Sequence, residues 1–406
     1  MFINQKHCVM SRFGPALVSF LLVLNACTGP LRHDAVPDDL LAKTTLSGLN
    51  RIRYCPELES DIKDMTDEGI ASFYAEKAFH LSKGHESPLP PANYLAISGG
   101  GDKGAFGAGV LAGWTAHGDR PEFKLVTGVS TGALIAPFAF LGSRYDEQLK
   151  QVYTGISQAD ILEERSITAA LWSDAMADNR PLWKLLEKHV DQRMLDEIAA
   201  EYKKGRLLLV ATTNLDAQVP VIWNLTKIAA SGRPESLKLF RSLMIASAAI
   251  PGAFPPVLID VVADGKPYQE MHVDGGATTQ VFLYPPSLRT AKLLLERSEH
   301  RERKLYIIRN AKLDHDWTQV ERRTLPIIQK AVTSLIQTQG LGDLYRLYLT
   351  AKQDDIDFNL TFIPRSFNAP HHEDFDRNYM KSLFDFGFSL SSKGNPWVKA
   401  PPGITN

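Results

Sequence analysis

Phe123-Lys124-Leu125-Val126-Thr127-Gly128-Val129-Ser130-Thr131-Gly132-Ala133-Leu134-Ile135-Ala136 is the stretch on which the fold turns. An apolar run with strand character enters Gly128-Val129-Ser130-Thr131-Gly132, and a helix-forming run leaves it. The five central residues fit G-x-S-x-G. In that pattern a serine sits on a tight strand-to-helix turn, and small flanking residues let the backbone fold sharply. The five-residue pattern is weak by itself; a strand before it and a helix after it make it specific. The alternative reading is a glycine-rich turn with an idle serine.

Working outward, Tyr94-Leu95-Ala96-Ile97 reads as an earlier buried strand, followed by Gly99-Gly100-Gly101-Asp102-Lys103-Gly104 and a small-residue helix over 104–116. Three successive glycines expose N–H groups and allow angles other residues resist. At a helix N-terminus they make a concavity for a phosphate or for the oxyanion of an acyl transfer. A P-loop needs Ser or Thr after Gly-Lys, and Gly104 stands there instead. Gly99, Gly101 and Gly104 satisfy dinucleotide spacing, so a nucleotide-binding protein is a second class of reading. A serine elbow one strand later favours the oxyanion. Serine also needs a base. His272-Val273-Asp274-Gly275-Gly276 offers Asp274 at a strand end, where it can accept the serine proton directly, or act simply as a turn former. His272, two residues away, points to the same strand face, as an assisting base or a packed neighbour.

Further strands are expected at 206–214, 219–223, 305–308 and 358–363, with helices over 131–141 and 325–349 and a helix opening at Pro181. Strands alternating with helices predict an α/β fold with a mostly parallel sheet covered on both faces. Asp61 to Leu81 carries apolar residues near a 3.6 period, predicting an amphipathic helix whose stripe docks on the main domain.

The ordered set of the glycine turn, the serine pentapeptide, Ala246-Ser247-Ala248-Ala249-Ile250-Pro251-Gly252-Ala253-Phe254-Pro255-Pro256 and Asp274-Gly275-Gly276 resembles the patatin-like phospholipases, over roughly residues 93–285. The resemblance implies a three-layer α/β/α domain that hydrolyses acyl esters of lipids with no metal or other cofactor. It implies Ser130 as nucleophile, Asp274 as its base, and the amides around Gly100, Gly101 and Asp102 as oxyanion hole. Lys103 stands where the family often has Arg, keeping a supporting positive charge without the fork-shaped contact. Residues 156–204, with Trp172, Trp183, Leu185 and Leu186, form either a cap over an acyl pocket or ordinary core. A non-catalytic lipid-anchored binding or assembly protein on the same fold is the alternative function.

The N-terminus bears on location. Lys6 and Arg12 precede an apolar run from Phe13 to Leu24, too short to span a bilayer stably, and Leu24-Asn25-Ala26-Cys27 resembles a bacterial lipobox. The expectation is a signal peptide over 1–26, lipidation of Cys27, a tether and helix over 27–92 and the acyl hydrolase domain over 93–395. An ordinary secretory signal and a secreted or periplasmic protein is the alternative. Thr28 is not the acidic residue that signals inner-membrane retention, so the outer membrane is favoured. Cleavage would take the formal charge from -1 to -3 and leave Cys55 as the sole thiol, compatible with an oxidising compartment. Balanced charge, 45 Lys plus Arg against 46 Asp plus Glu, argues against nucleic acid as a partner.

Overall fold

The computed structural model describes residues 32–404 except Ser47 and residues 86–87, 162, 165–176, 286–300, 315, 316, 318 and 395. The expected signal peptide, the expected lipidation site Cys27 and Trp172 of the expected cap therefore lie outside the described residues.

A nine-stranded mixed sheet runs through the molecule, and apart from it β4 (Glu163–Glu164) pairs antiparallel with β5 (Ala177–Asp178). The centre of the large sheet is made by β2 (Ala92–Ile97), β3 (Leu125–Val129), β6 (Leu207–Asn214), β10 (Arg303–Arg309) and β11 (Asp357–Phe362), in the order β6-β3-β2-β10-β11, all parallel. These strands read as near-continuous apolar runs because both sheet faces are covered. Alternate residues supply two cores on the two faces. Leu95, Ile97, Val126, Leu208 and Val210 belong to one; Ala96, Leu125, Leu209, Leu305 and Ile307 belong to the other.

The parallel expectation holds for these strands and stops at β6. Beyond it, β7 (Val219–Asn224) and β1 (Arg53–Tyr54) run antiparallel to their neighbours, as does the hairpin of β8 (Val257–Ala263) and β9 (Lys266–Asp274). Part of the stretch expected as a tether is packed: Arg53 and Tyr54 pair with Trp223 and Ile222, Thr45 bridges Val262, and Ile52 is buried.

The helices are α1 (Glu59–Ser82), α2 (Gly104–His117), α3 (Thr131–Leu141), α4 (Asp146–Gly155), α5 (Arg180–His189), α6 (Gln192–Lys203), α7 (Leu225–Ala230), α8 (Ser236–Ala248), α9 (Thr324–Gln353) and α10 (Arg377–Ser392). Helix α1 docks as expected, but by charge as much as by grease. Met65 and Phe73 are buried while Tyr74 and Leu81 are exposed. Glu76 sits between Arg301 at 2.8 Å and Lys124 at 2.9 Å. Glycines set the spacing of α2 and α10, since a Cβ on Gly109 would fall 2.1 Å from the Phe384 carbonyl oxygen and one on Gly387 2.5 Å from that of Phe106. Helix α9, of 30 residues, is longer than its sheet support. Its described residues are buried only from Gly340 onward, and Ile327, Ile328 and Leu335 are exposed. Among the described residues no helix is long and apolar enough to cross a membrane.

Candidate active site

Strand lengths and register bring the predicted residues together. Ile97 is paired with Gly128, so β2 ends one residue before β3 and their following turns lie side by side. Strand β6 is longer than β3: Val129 pairs with Ala211, and the rest of that edge is taken by β9, with Asp274 opposite Thr212. Ser130 and Asp274 therefore occupy successive ranks along one edge of β6.

The turn itself is forced. Ser130 has φ 55° and ψ -126°, a strained conformation for a residue with a side chain, costing on the order of 1–3 kcal/mol. Its neighbours hold it there. The Ser130 N–H donates to Ser247 Oγ at 3.0 Å, and Ser247 Oγ donates to the Ala211 carbonyl at 2.7 Å. A Cβ on Gly128 would meet the Gly132 carbonyl at 2.4 Å, and one on Gly132 the Ile97 carbonyl at 2.2 Å. The two glycines of the pattern are what allow helix α3 to leave so close to β2.

Ser130 and Asp274 are both buried, at 5% and 2% exposure, and the Ser130 hydroxyl lies near enough to the Asp274 carboxylate to favour its charged form. Burial pushes the Asp274 pKa up to about 6; Ser130 and the bond from the Gly276 N–H at 2.7 Å pull the other way. A carboxylate so placed is ionised at neutral pH and more basic than an exposed aspartate.

The glycine turn lies against the serine: a Cβ on Gly99 would fall 3.1 Å from Ser130 Cβ. Among the described residues the Gly99 N–H is used by the Gln280 carbonyl and the Lys103 N–H by that of Gly100, whereas no backbone hydrogen bond takes the N–H of Gly100 or Gly101. Gly101, at φ +60°, and half-buried Lys103 lie on a short 3-10 turn with Asp102 between them, ahead of α2.

Beside the elbow lies an apolar cleft lined by Gly101, Thr131, Leu134, Tyr153, Leu182, Leu185, Leu186, Phe375 and Met380. Its volume is about 40 Å³, space for roughly three waters at ~10–15 Å³ each, so a long acyl chain would require it to widen. Leu182, Leu185 and Leu186 place α5 of the expected cap region on this cleft; Trp183 packs partly against the core and donates to Glu187.

His272 is turned to other work. It is fully buried, with Nδ1 2.9 Å from Thr212 Oγ1, Nε2 3.1 Å from Glu270 Oε2, and its ring edge-on to Trp223. Burial lowers its pKa and outweighs the pull of Glu270, while Glu270 is also bound by Arg53 at 2.6 Å. Both ring nitrogens are engaged away from Ser130, the packed-neighbour arrangement. His272→Ala should therefore cost about 2–4 kcal/mol of stability while kcat per folded molecule stays within a few-fold, measured by denaturant titration beside ester hydrolysis.

Several supporting residues carried no sequence signal. Asn310, at the end of β10, accepts from the Gly107 N–H and donates to the Ser98 carbonyl, while Ser98 Oγ takes the Asn310 N–H. Asp343 on α9 accepts the N–H groups of Gln280 and Val281, fixing the loop whose carbonyl holds Gly99. Ser247 lies inside the Ala-Ser block noted above, but its bracing of the elbow becomes visible only in three dimensions.

Residues 95–284 match the family described as patatin-like phospholipase. No curated protein matches the chain in sequence. Among solved structures, VipD from Legionella pneumophila is similar at 12% identity over 74% of this chain and 68% of VipD, with a TM-score of 0.34. The type III effector protein ExoU is similar at 14% identity over 76% of this chain and 54% of ExoU, with a TM-score of 0.23. The matched segment contains the glycine turn, the serine elbow and Asp274, so over residues 95–284 the chain carries a patatin-like phospholipase domain.

Proposed function

We propose that the protein is a lipid acyl hydrolase working through Ser130 and Asp274. The observation that carries the reading is the buried approach of the Ser130 hydroxyl to the Asp274 carboxylate, beside the Gly100 and Gly101 N–H groups, which among the described residues make no backbone hydrogen bond. Ser130 Oγ attacks the ester carbonyl carbon and its proton passes to Asp274. The carbonyl oxygen becomes an oxyanion held by the amides of Gly100, Gly101 and Asp102, with the positive charge of Lys103 nearby in support. Collapse expels the alcohol, which takes the proton from Asp274, and leaves an acyl-enzyme. Water then attacks the acyl carbon, giving its proton to Asp274, and departure of Ser130 Oγ returns the proton to the serine. The apolar lining of the cleft beside the elbow suits the acyl chain of a phospholipid or related ester once the cleft has widened to admit it.

The lipobox-like sequence supports a further proposal, anchorage through lipid on Cys27 in the bacterial envelope, with the outer membrane favoured.

Purified wild-type and Ser130→Ala protein should separate the enzymatic from the non-catalytic reading. A fluorophosphonate probe is expected to label the wild type at Ser130, and phospholipid turnover followed by lipidomics should fall at least about 10³-fold in the variant. Equal turnover by both proteins would end the proposal.

A further inference from the structure

The loop from Pro364 to Asp376, between β11 and α10, lies outside the family-matched segment yet closes one side of the site. It is tied to the glycine turn through a single carboxylate. Asp102 Oδ2 accepts from His371 Nε2 at 2.7 Å and from the Phe375 N–H at 3.1 Å. The His371 ring stacks on Tyr379 at the start of α10, centroids 4.2 Å apart and planes 34° from parallel. Phe375 has φ 59° and lines the acyl cleft with Gly101 and Met380. Asp376 then caps α10 through the N–H groups of Asn378 and Tyr379. The Asp102 side chain thus joins the turn that carries the oxyanion amides to the loop that carries a wall of the cleft, while its own backbone is part of that turn.

We propose that His371 is a positioning residue for the hydrolysis, holding through Asp102 both the Gly101–Asp102 amides in register with Ser130 and Phe375 against the acyl cleft. The proposal rests on the Ser130 hydrolase reading. Asp102 is buried at 7% exposure and the His371 side chain is one-third exposed, so solvent protons reach the histidine end of the pair. The charged groups facing His371 are Asp102 and Lys103 from the glycine turn and Asp374 from its own loop, with Tyr379 stacked on it. The hydrogen bond to Asp102 raises the His371 pKa above its ordinary value, with burial and Lys103 opposing. The protonated pair makes a charge-assisted bond, and as pH rises through the His371 pKa that charge is lost and the latch weakens. Asp274 titrates in the other sense: it must lose its proton, near pH 6, before it can serve as base.

The test is the pH dependence of kcat and KM for a soluble short-chain p-nitrophenyl ester, normalised to sites labelled by fluorophosphonate. Wild type should show activity rising through about pH 6 and falling again on the alkaline side. In His371→Ala, kcat per labelled site should fall about 10- to 100-fold with a smaller change in KM, because displaced donors are felt chiefly in the transition state. The rising limb should survive and the falling limb should vanish. His371→Gln, a neutral donor, should recover part of kcat and show no alkaline decline. A falling limb that persists unchanged in His371→Gln, or variants with wild-type kcat per labelled site, would overturn the proposal. Activity unaffected by Ser130→Ala would instead mark failure of the hydrolase reading itself, and the positioning role would go with it.

Discussion

Asp274→Asn should remove ester hydrolysis by about 10³-fold or more and at the same time make the protein harder to unfold. The first effect follows from the loss of the group that accepts the Ser130 proton, since asparagine keeps the shape and cannot take it. The second follows from burial. Asp274 is ionised above about pH 6 in the folded protein, against 3.8 for the ordinary side chain, so folding disfavours its charge. The cost is fully present above the folded pKa and disappears below the unfolded one, because a raised carboxylate pKa stabilises the folded state as pH falls. Converted, the difference is on the order of 3 kcal/mol at pH 8, and asparagine should recover part of it, about 1–3 kcal/mol. Urea titrations of both proteins at pH 8 and pH 4 check the sign. A gain at pH 8 that shrinks at pH 4 fits a strained catalytic carboxylate; a loss at pH 8 would mean that Asp274 is held mainly by favourable contacts.

Gly132→Ala should be among the most damaging single-methyl additions to this protein. The new carbon would lie 2.2 Å from the Ile97 carbonyl oxygen, 2.8 Å from its carbonyl carbon and 2.9 Å from the Ser98 carbonyl oxygen. All are backbone atoms of β2 and the turn after it, so no flexible side chain can give way. Relief requires α3 to move off the sheet, dragging Ser130 with it. About 3 kcal/mol or more of destabilisation is expected, a drop in Tm of about 4 °C or more, with labelling of Ser130 lost in whatever remains folded. Gly101→Ala is the control. Gly101 has φ +60°, but a Cβ there meets nothing within 4 Å, so only the conformational strain of about 1–2 kcal/mol applies. Equal thermal stability of the two variants would show that close approach of helix and strand is not what the pentapeptide's second glycine provides.

What could be read in the sequence was what is local. Helix α3 was placed at its observed limits, because strand, turn and helix follow one another within a few residues there. Asp274 was legible through its two following glycines. The β8–β9 hairpin was not, because β9 carries Glu270 and His272 facing inward, and these are tolerable only beside Arg53, which comes from a strand of two residues. Such a pairing erases the apolar alternation by which strands are recognised. His371 lies 269 positions from Asp102, and nothing around either residue announces the other. The oxyanion turn was thus visible as chemistry, while the groups that hold it (Gln280, Asn310, Asp343 and His371) are contributed by chain that arrives only through tertiary folding.

The long helix α9 divides into two regimes of cooperativity. From Gly340 onward it is clamped by the buried Leu344, Leu347 and Ala351 and melts only with the sheet. The preceding turns bury little, but Gln337 and Gln339 tie their last residues to the Lys312 and Thr278 carbonyls, so fraying that leaves the domain native is confined to the turns ahead of Gln337. Asp343, the residue through which α9 grips the Gln280 loop, stands on the clamped side of that divide. Fraying confined to the outer turns leaves the grip of Gln339 and Asp343 on the loop from Thr278 to Val281 in place.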